Sequence, residues 1–187
     1  MWNTESIIMN ERAEEMKKHW KKLGIIGGMG PEATSYFFDE ALQKETNIPI
    51  INMIQQAIEG IVEQFGSIQK IGLMSTTGTI QTKIYHNEAT KYGIELITPS
   101  KKRQRDVMSL IYDEIKEGKV GNPKKFYAIY DELIENGSQV VILACTELSV
   151  FKKMHKVPDN CIDVLDILVK ESIIKSGADY FEKKEVF

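Results

Sequence analysis

The chain has 187 residues, 42% of them hydrophobic and 27% charged, enough for one substantial domain or two small ones of ordinary soluble composition. A formal net charge of −3 and a pI near 5.7 offer little to a phosphate backbone, so nucleic acid is not an expected partner. No apolar run approaches the roughly 20 residues that span a bilayer and residues 1–22 hold no secretory hydrophobic segment, so a cytoplasmic protein with no membrane partner is expected.

Residues 1–22 predict an amphipathic helical extension without chemistry of its own. From Leu23 the pattern changes. Residues 23–28 form a short apolar run closing in glycines, which suits a buried parallel strand entering a tight turn, and Pro31 can open the helix that follows. Residues 48–54 predict a strand and residues 55–66 a helix with Ile58, Ile61, Val62 and Phe65 along one side. The unit then repeats. Residues 70–74 predict a strand, 75–79 a polar turn, 80–92 a helix closed by Gly93, and 95–98 a strand stopped by Pro99. The basic run of Lys101, Lys102, Arg103 and Arg105 is read as a solvated turn and helix start. Helices follow over 106–117 and 123–136, the second with Gly137 as its C-cap. Residues 140–144 are the most apolar run and predict a central strand; 161–164 predict a last short strand before a terminal helix over about 166–176. This alternation predicts an α/β fold with mainly parallel strands.

In such folds ligands gather at the carboxyl ends of strands. Three polar or glycine-rich segments fall there: residues 27–30, 75–79 and 145–147. The first, within GGMGP, matches neither a dinucleotide fingerprint nor a P-loop, so a small-anion site is favoured over a purely structural turn. The second offers hydroxyls and N–H donors suited to a carboxylate, or serves only as a helix cap. In the third, Cys145 ends the most apolar strand, where a thiol that merely filled a core is not expected. A helix N-terminus or a cation beside it is expected to lower its pKa and make it a base. His19, His86 and His155 are scattered and neither cysteine has a paired neighbour, so no metal is expected, and Cys145 and Cys161 are expected as free thiols.

Four segments in order, residues 23–34 (LGIIGGMGPEAT), 70–81 (KIGLMSTTGTIQ), 111–118 (IYDEIKEG) and 141–149 (VILACTELS), resemble the aspartate/glutamate racemase family, in particular its aspartate-racemase branch. The resemblance runs over about residues 22–180 and implies two pseudo-symmetric α/β lobes. It assigns residues 23–54 plus 159–187 to a first lobe and 55–158 to the second. It also implies racemisation of a small acidic amino acid without pyridoxal phosphate or another cofactor. Two cysteines, one from each lobe, would exchange the α-proton on opposite faces of the substrate, as inversion through a planar carbanion demands. By motif, Cys145 is the second-lobe thiol, and Thr146 is expected to donate to the substrate carboxylate. Glu147 is expected to shape the turn or hold the ammonium. Met29, Thr76, Thr77, Thr79 and Lys116 are expected to line the pocket.

The chain departs from the family in one respect. The Cys-Asn-Thr type turn that carries the first-lobe thiol has no counterpart, and residues 34–46 run almost directly into the strand that should lie well beyond it. About 60 residues, two βα units, are short, and a basic residue expected there goes with them. Cys161 precedes a strand rather than following one and does not replace the missing thiol. The sequence thus predicts an isomerase with one matching thiol and impaired inversion. The alternatives are a non-catalytic amino-acid or dicarboxylate binder and an incomplete gene product. An incomplete lobe should leave apolar surface uncovered, so a homodimer is expected.

Overall fold

Residues 140–143 are all apolar, and a strand that reads so can only be central, with both faces covered. In the computed structural model, which describes residues 51–181, this stretch is strand β3 (Val140–Leu143), every residue of it buried. It is flanked by β1 (Lys70–Met74) and β4 (Cys161–Asp163), and β2 (Glu95–Ile97) lies beyond β1, giving a parallel sheet of order β2-β1-β3-β4. The α/β fold with parallel strands expected from the alternation is the fold observed.

Side chains alternate across a strand, and the two cores follow that period. Val140, Ile142, Ile71 and Leu73 face one side, where they meet Ala57, Ile58 and Ile61 of α1 (Met53–Phe65) and Tyr85 and Ala89 of α3 (Ile84–Lys91). Val141, Leu143 and Met74 face the other. There they meet Val107 of α4 (Lys101–Ser109), Phe126, Ile129 and Leu133 of α5 (Pro123–Glu135), and Leu148 and Phe151 of α6 (Thr146–Met154). The rings of Phe126 and Phe151 stack with centroids 4.6 Å apart. Gly121, at φ +80°, lies beneath that pair; a Cβ there would come within 2.7 Å of the Phe151 ring. Glycine is required twice over, for the backbone and for the space.

Several predicted bounds shift, each for a local reason. Of the strand expected over 48–54, residues 48–50 lie outside the described residues and 51–54 are not strand: Asn52, whose carboxamide oxygen accepts from Ile54 N–H (3.0 Å), caps α1, which begins at Met53. Ser100 caps α4 through the Arg103 N–H, so the basic run is the helix start expected of it and the helix expected from 106 begins at Lys101. α4 passes into a π-helical segment, Leu110–Ile115. The single helix expected over 80–92 is two, α2 (Thr77–Gln81) and α3, because Lys83 adopts the left-handed region at φ 56°, ψ 16°. No glycine, asparagine or proline marks that break, and a lysine there costs on the order of 1–2 kcal/mol. Gly137, at φ +93°, follows the Asn136 cap of α5.

β4 is followed directly by α7 (Val164–Lys175), whose first turn is capped by Asp163 accepting from Leu165 N–H at 2.9 Å. The Cα framework divides into two compact units, residues 28–168 and residues 1–27 with 169–187. Of the second, residues 169–181 are described; there Lys170 Nζ lies 5.7 Å above the Tyr180 ring. Among the described residues no helix is long and apolar enough to cross a membrane. The predicted extension over 1–22, the glycine turn at 27–30 and Met29 lie outside the described residues.

Candidate active site

β1 and β3 are paired so that Met74 faces Leu143, and Ala144 N–H donates to Met74 C=O at 2.9 Å. The two chains therefore leave the sheet together at its carboxyl edge. Ser75 and Thr76 emerge beside Ala144 and Cys145, roughly one strand spacing of 4.8 Å apart. Parallel pairing alone brings these two sequence-distant turns into one place.

Cys145 is half-buried, with extended backbone, and it stands at the cap position of α6. Its thiol donates to Glu147 Oε2 at 2.9 Å, and Thr146 Oγ1 donates to the same oxygen at 3.1 Å. Burial first, and then that bond to Glu147, push the Cys145 thiol up to about 12. The expectation of a lowered thiol pKa is corrected here. The Lys116 ammonium favours the thiolate but is the weakest of the influences on it, and a carboxylate at hydrogen-bond distance favours the protonated form. Glu147 shows the reciprocal effect: burial would raise its carboxyl, but bonds from Cys145, its own N–H and Thr146, with the Lys116 charge, hold it below the usual carboxylate range.

Lys116 follows the π-helical segment and is exposed, its Nζ 4.8 Å from the Tyr112 ring centroid. A π-turn re-aims the residues after it, and such turns recur at functional sites. On the β1 side, Thr76 Oγ1 caps α2 by accepting Thr79 N–H at 3.3 Å, and the Thr76 and Thr79 hydroxyls are 3.0 Å apart. Thr77 Oγ1 accepts from Gln104 Nε2 at 3.3 Å. These hydroxyls already have protein partners, so each has only its remaining capacity to offer a ligand. Thr146, expected to donate to a substrate, donates in this structure to Glu147.

Three residues at this edge escape sequence reading. Gln104 Nε2 also donates to Ser75 C=O at 2.9 Å, and Met108 Sδ, one turn on, accepts Thr77 N–H at 3.2 Å. Together they pin the threonine turn to α4, while Gln104 Oε1 is buried without a partner among the described residues. Their i, i+4 spacing is visible in the sequence, but nothing there says which turn they meet. Tyr85 is 2% exposed, and burial, followed by the charges of Cys145 and Asp163, holds its phenol well above the usual range.

Cys161 lies at the other end of the sheet. It pairs with Val141, four residues before Cys145 and about 13 Å away along the strand direction. It is 3% exposed in the apolar core, and burial pushes its thiol up to about 12 as well. Among the described residues no three His, Cys, Asp or Glu side chains gather as a metal site.

A sequence profile described as Asp/Glu/hydantoin racemase matches residues 33–172. An uncharacterised protein from the pnlA 3′ region of Pectobacterium carotovorum subsp. carotovorum is 28% identical over 129 residues, covering 67% of this chain and 82% of that one. Among solved structures, an assigned Asp/Glu racemase from Yersinia pestis is 26% identical with a TM-score of 0.59, over 69% of this chain and 56% of its own. An aspartate racemase homologue from Pyrococcus horikoshii OT3 shares the fold at 23% identity and a TM-score of 0.66, over 77% and 63%. The chain thus spans about three fifths of the solved structures it resembles. With the family profile matching well over half of its length, the chain belongs to the Asp/Glu/hydantoin racemase family.

Proposed function

We propose that this chain is an isomerase of the aspartate/glutamate racemase type, acting on a small acidic amino acid without pyridoxal phosphate, with Cys145 as its proton carrier. The observation that carries this reading is the Cys145 thiol bonded to Glu147 at the carboxyl edge, with Lys116 acting on both. At rest the thiol is protonated and the carboxylate charged. A substrate ammonium drawing Glu147 to itself removes the acceptor that favours the protonated thiol, so the thiol proton can leave to solvent. The thiolate then takes the α-proton, and the developing charge on the substrate carboxylate is met by Lys116 and by what donor capacity Thr76, Thr77, Thr79 and Thr146 retain. Met29 belongs to the same proposal by its motif.

Return of the proton from Cys145 to the same face gives exchange with retention. Inversion requires an acid on the opposite face, and the only other cysteine of the chain is the core residue Cys161. Exchange is therefore proposed to outrun racemisation. Incubation with L- and D-aspartate and glutamate in D₂O, with α-deuterium followed by NMR and enantiomers by chiral chromatography, tests both halves. Slow deuteration with retention is expected. Rapid racemisation would overturn the impaired-inversion part. A second reading, a non-catalytic binder of amino acids or dicarboxylates, is favoured by the raised thiol pKa, and ligand binding without any exchange would establish it. A cytoplasmic homodimer is proposed on the sequence grounds given above, its stoichiometry open to light scattering.

A further inference from the structure

A cleft of about 280 Å³ opens beside the start of α3, between the ends of β1 and β2. Leu73 and Leu96 give it an apolar wall, and Lys83, His86 and Thr98 line it with polar groups. Among the described residues no acidic side chain lines it. Lys83 and His86 are exposed, and among the described residues neither side chain has an ion-pair or hydrogen-bond partner. Tyr85 completes the lining: it is 2% exposed, and its hydroxyl has no hydrogen-bond partner among the described residues. The Tyr85 hydroxyl is not among the fully buried unpaired polar atoms, so it keeps some access to solvent and can donate to an oxygen bound in the cleft.

We propose that this cleft is a second binding site, for a small oxyanion (a carboxylate or inorganic phosphate), with Lys83 and His86 supplying charge and the Tyr85 hydroxyl donating to a ligand oxygen. Of the described residues assigned to racemisation it shares Thr79 alone, although its Tyr85 also feels the charge of Cys145. Lys83 is held at φ 56°, where glycine would sit without strain, and its side chain does not cap α3. A strained backbone bearing a cationic side chain at a cleft is where function commonly retains the strain. Asp163, the acidic group acting on Tyr85 from the sheet, already has its Oδ1 occupied by the Ser149 hydroxyl at 2.7 Å and Leu165 N–H at 2.9 Å.

Calorimetric titration of the full 187-residue chain with inorganic phosphate and with succinate, each at matched ionic strength in sodium chloride, tests the site. Saturable binding of one or both anions is expected, and which of them binds identifies the source. Lys83→Gly should weaken binding at least about tenfold, the loss of a charge-assisted contact. It should also raise Tm, so the loss is not unfolding. Tyr85→Phe should weaken it by roughly three- to tenfold, and Cys145→Ala should leave it unchanged. No saturable heat with either anion, or full affinity in Lys83→Gly, would overturn the proposal. Binding abolished by Cys145→Ala but kept by Lys83→Gly would also overturn it, while leaving the racemase reading standing, because the anion would then occupy the Cys145 site.

Discussion

The two cysteines sit at opposite ends of the same sheet, Cys145 just past the end of β3 and Cys161 at the start of β4, and burial pushes both thiols up to about 12. Ionisation alone therefore does not separate them. What separates them is topology. Cys145 leaves the carboxyl edge into a turn where Glu147 and Lys116 act on it, whereas Cys161 enters the amino edge, pairs with Val141 and lies in apolar core, with the Lys152 charge the one polar influence on its thiol. Parallel sheets sort residues in this way: the edge where strands give way to helix starts collects polar turns, and the other collects packing. Two thiols whose pKa burial raises alike can still differ in their surroundings, a polar turn at one edge and packing at the other.

The sharpest way to break that contrast is to remove each thiol. Cys145→Ala should lower α-deuterium incorporation by about 10²–10⁴-fold, the usual worth of a general acid–base group. Cys161→Ala should leave exchange within a few-fold. Equal losses would mean that the edge does not decide the role.

The second test reads stability. Cys161→Ser puts a hydroxyl into a 3%-exposed apolar site with no partner in view, and should cost about 1–3 kcal/mol in urea unfolding. Cys145→Ser keeps a donor to Glu147 at the half-buried edge and should cost well under half as much. A reversed order would place Cys145 in the core and Cys161 in the site.

Much of this contrast is legible in the sequence. The runs 70–74 and 140–144 with polar residues just past them mark two strand ends, and the observed strands Lys70–Met74 and Val140–Leu143 match closely. Cys145 could be placed at a strand end because the apolar run stops there. The sign of its pKa shift could not be read, because that depends first on burial and then on Glu147 folding back within 2.9 Å of the thiol rather than out to solvent. Nor could the break at Lys83, since a non-glycine residue enters the left-handed region through tertiary packing that no local signal records. Gln104 and Tyr85 were missed for a related reason: helix periodicity says that a face is inward but not which turn or strand end it reaches.

The third test sharpens the electrostatics of the edge. Below its raised pKa a thiol's thiolate fraction rises about tenfold per pH unit, so iodoacetamide labelling of Cys145 should climb from pH 7 to 10 without a plateau. Glu147→Gln removes the negative charge that favours the thiol and should speed labelling several-fold at pH 8. Cys161, 3% exposed, should be labelled last under all native conditions. Slower labelling in Glu147→Gln would show that the carboxylate acts as a base toward the thiol rather than as the acceptor that stabilises it.

The smallest effect is expected two residues beyond Cys161, where β4 reaches the carboxyl edge at Asp163. Burial raises the Asp163 carboxyl, against the bonds from Ser149 and Leu165 N–H that lower it. For an acid, a raised folded-state pKa means that the folded chain holds the proton more tightly than the unfolded chain. The stability this gives is fully present below the ordinary carboxylate value of 3.8 and is lost as pH rises through the folded pKa above it. Asp163→Asn keeps a carbonyl oxygen for Ser149 and Leu165 but has no charge to bury. The variant should therefore gain on the wild type as pH rises from 4 to 7, by on the order of 1 kcal/mol or less, because losing a charge-assisted acceptor offsets part of the relief. Urea unfolding of both chains at pH 4, 5.5 and 7 measures that difference directly. If instead the wild type gains on the variant over that range, the two hydrogen bonds outweigh burial. Asp163 would then be a satisfied helix cap, a buried charge at the carboxyl edge held as firmly as Cys161 is at the amino edge.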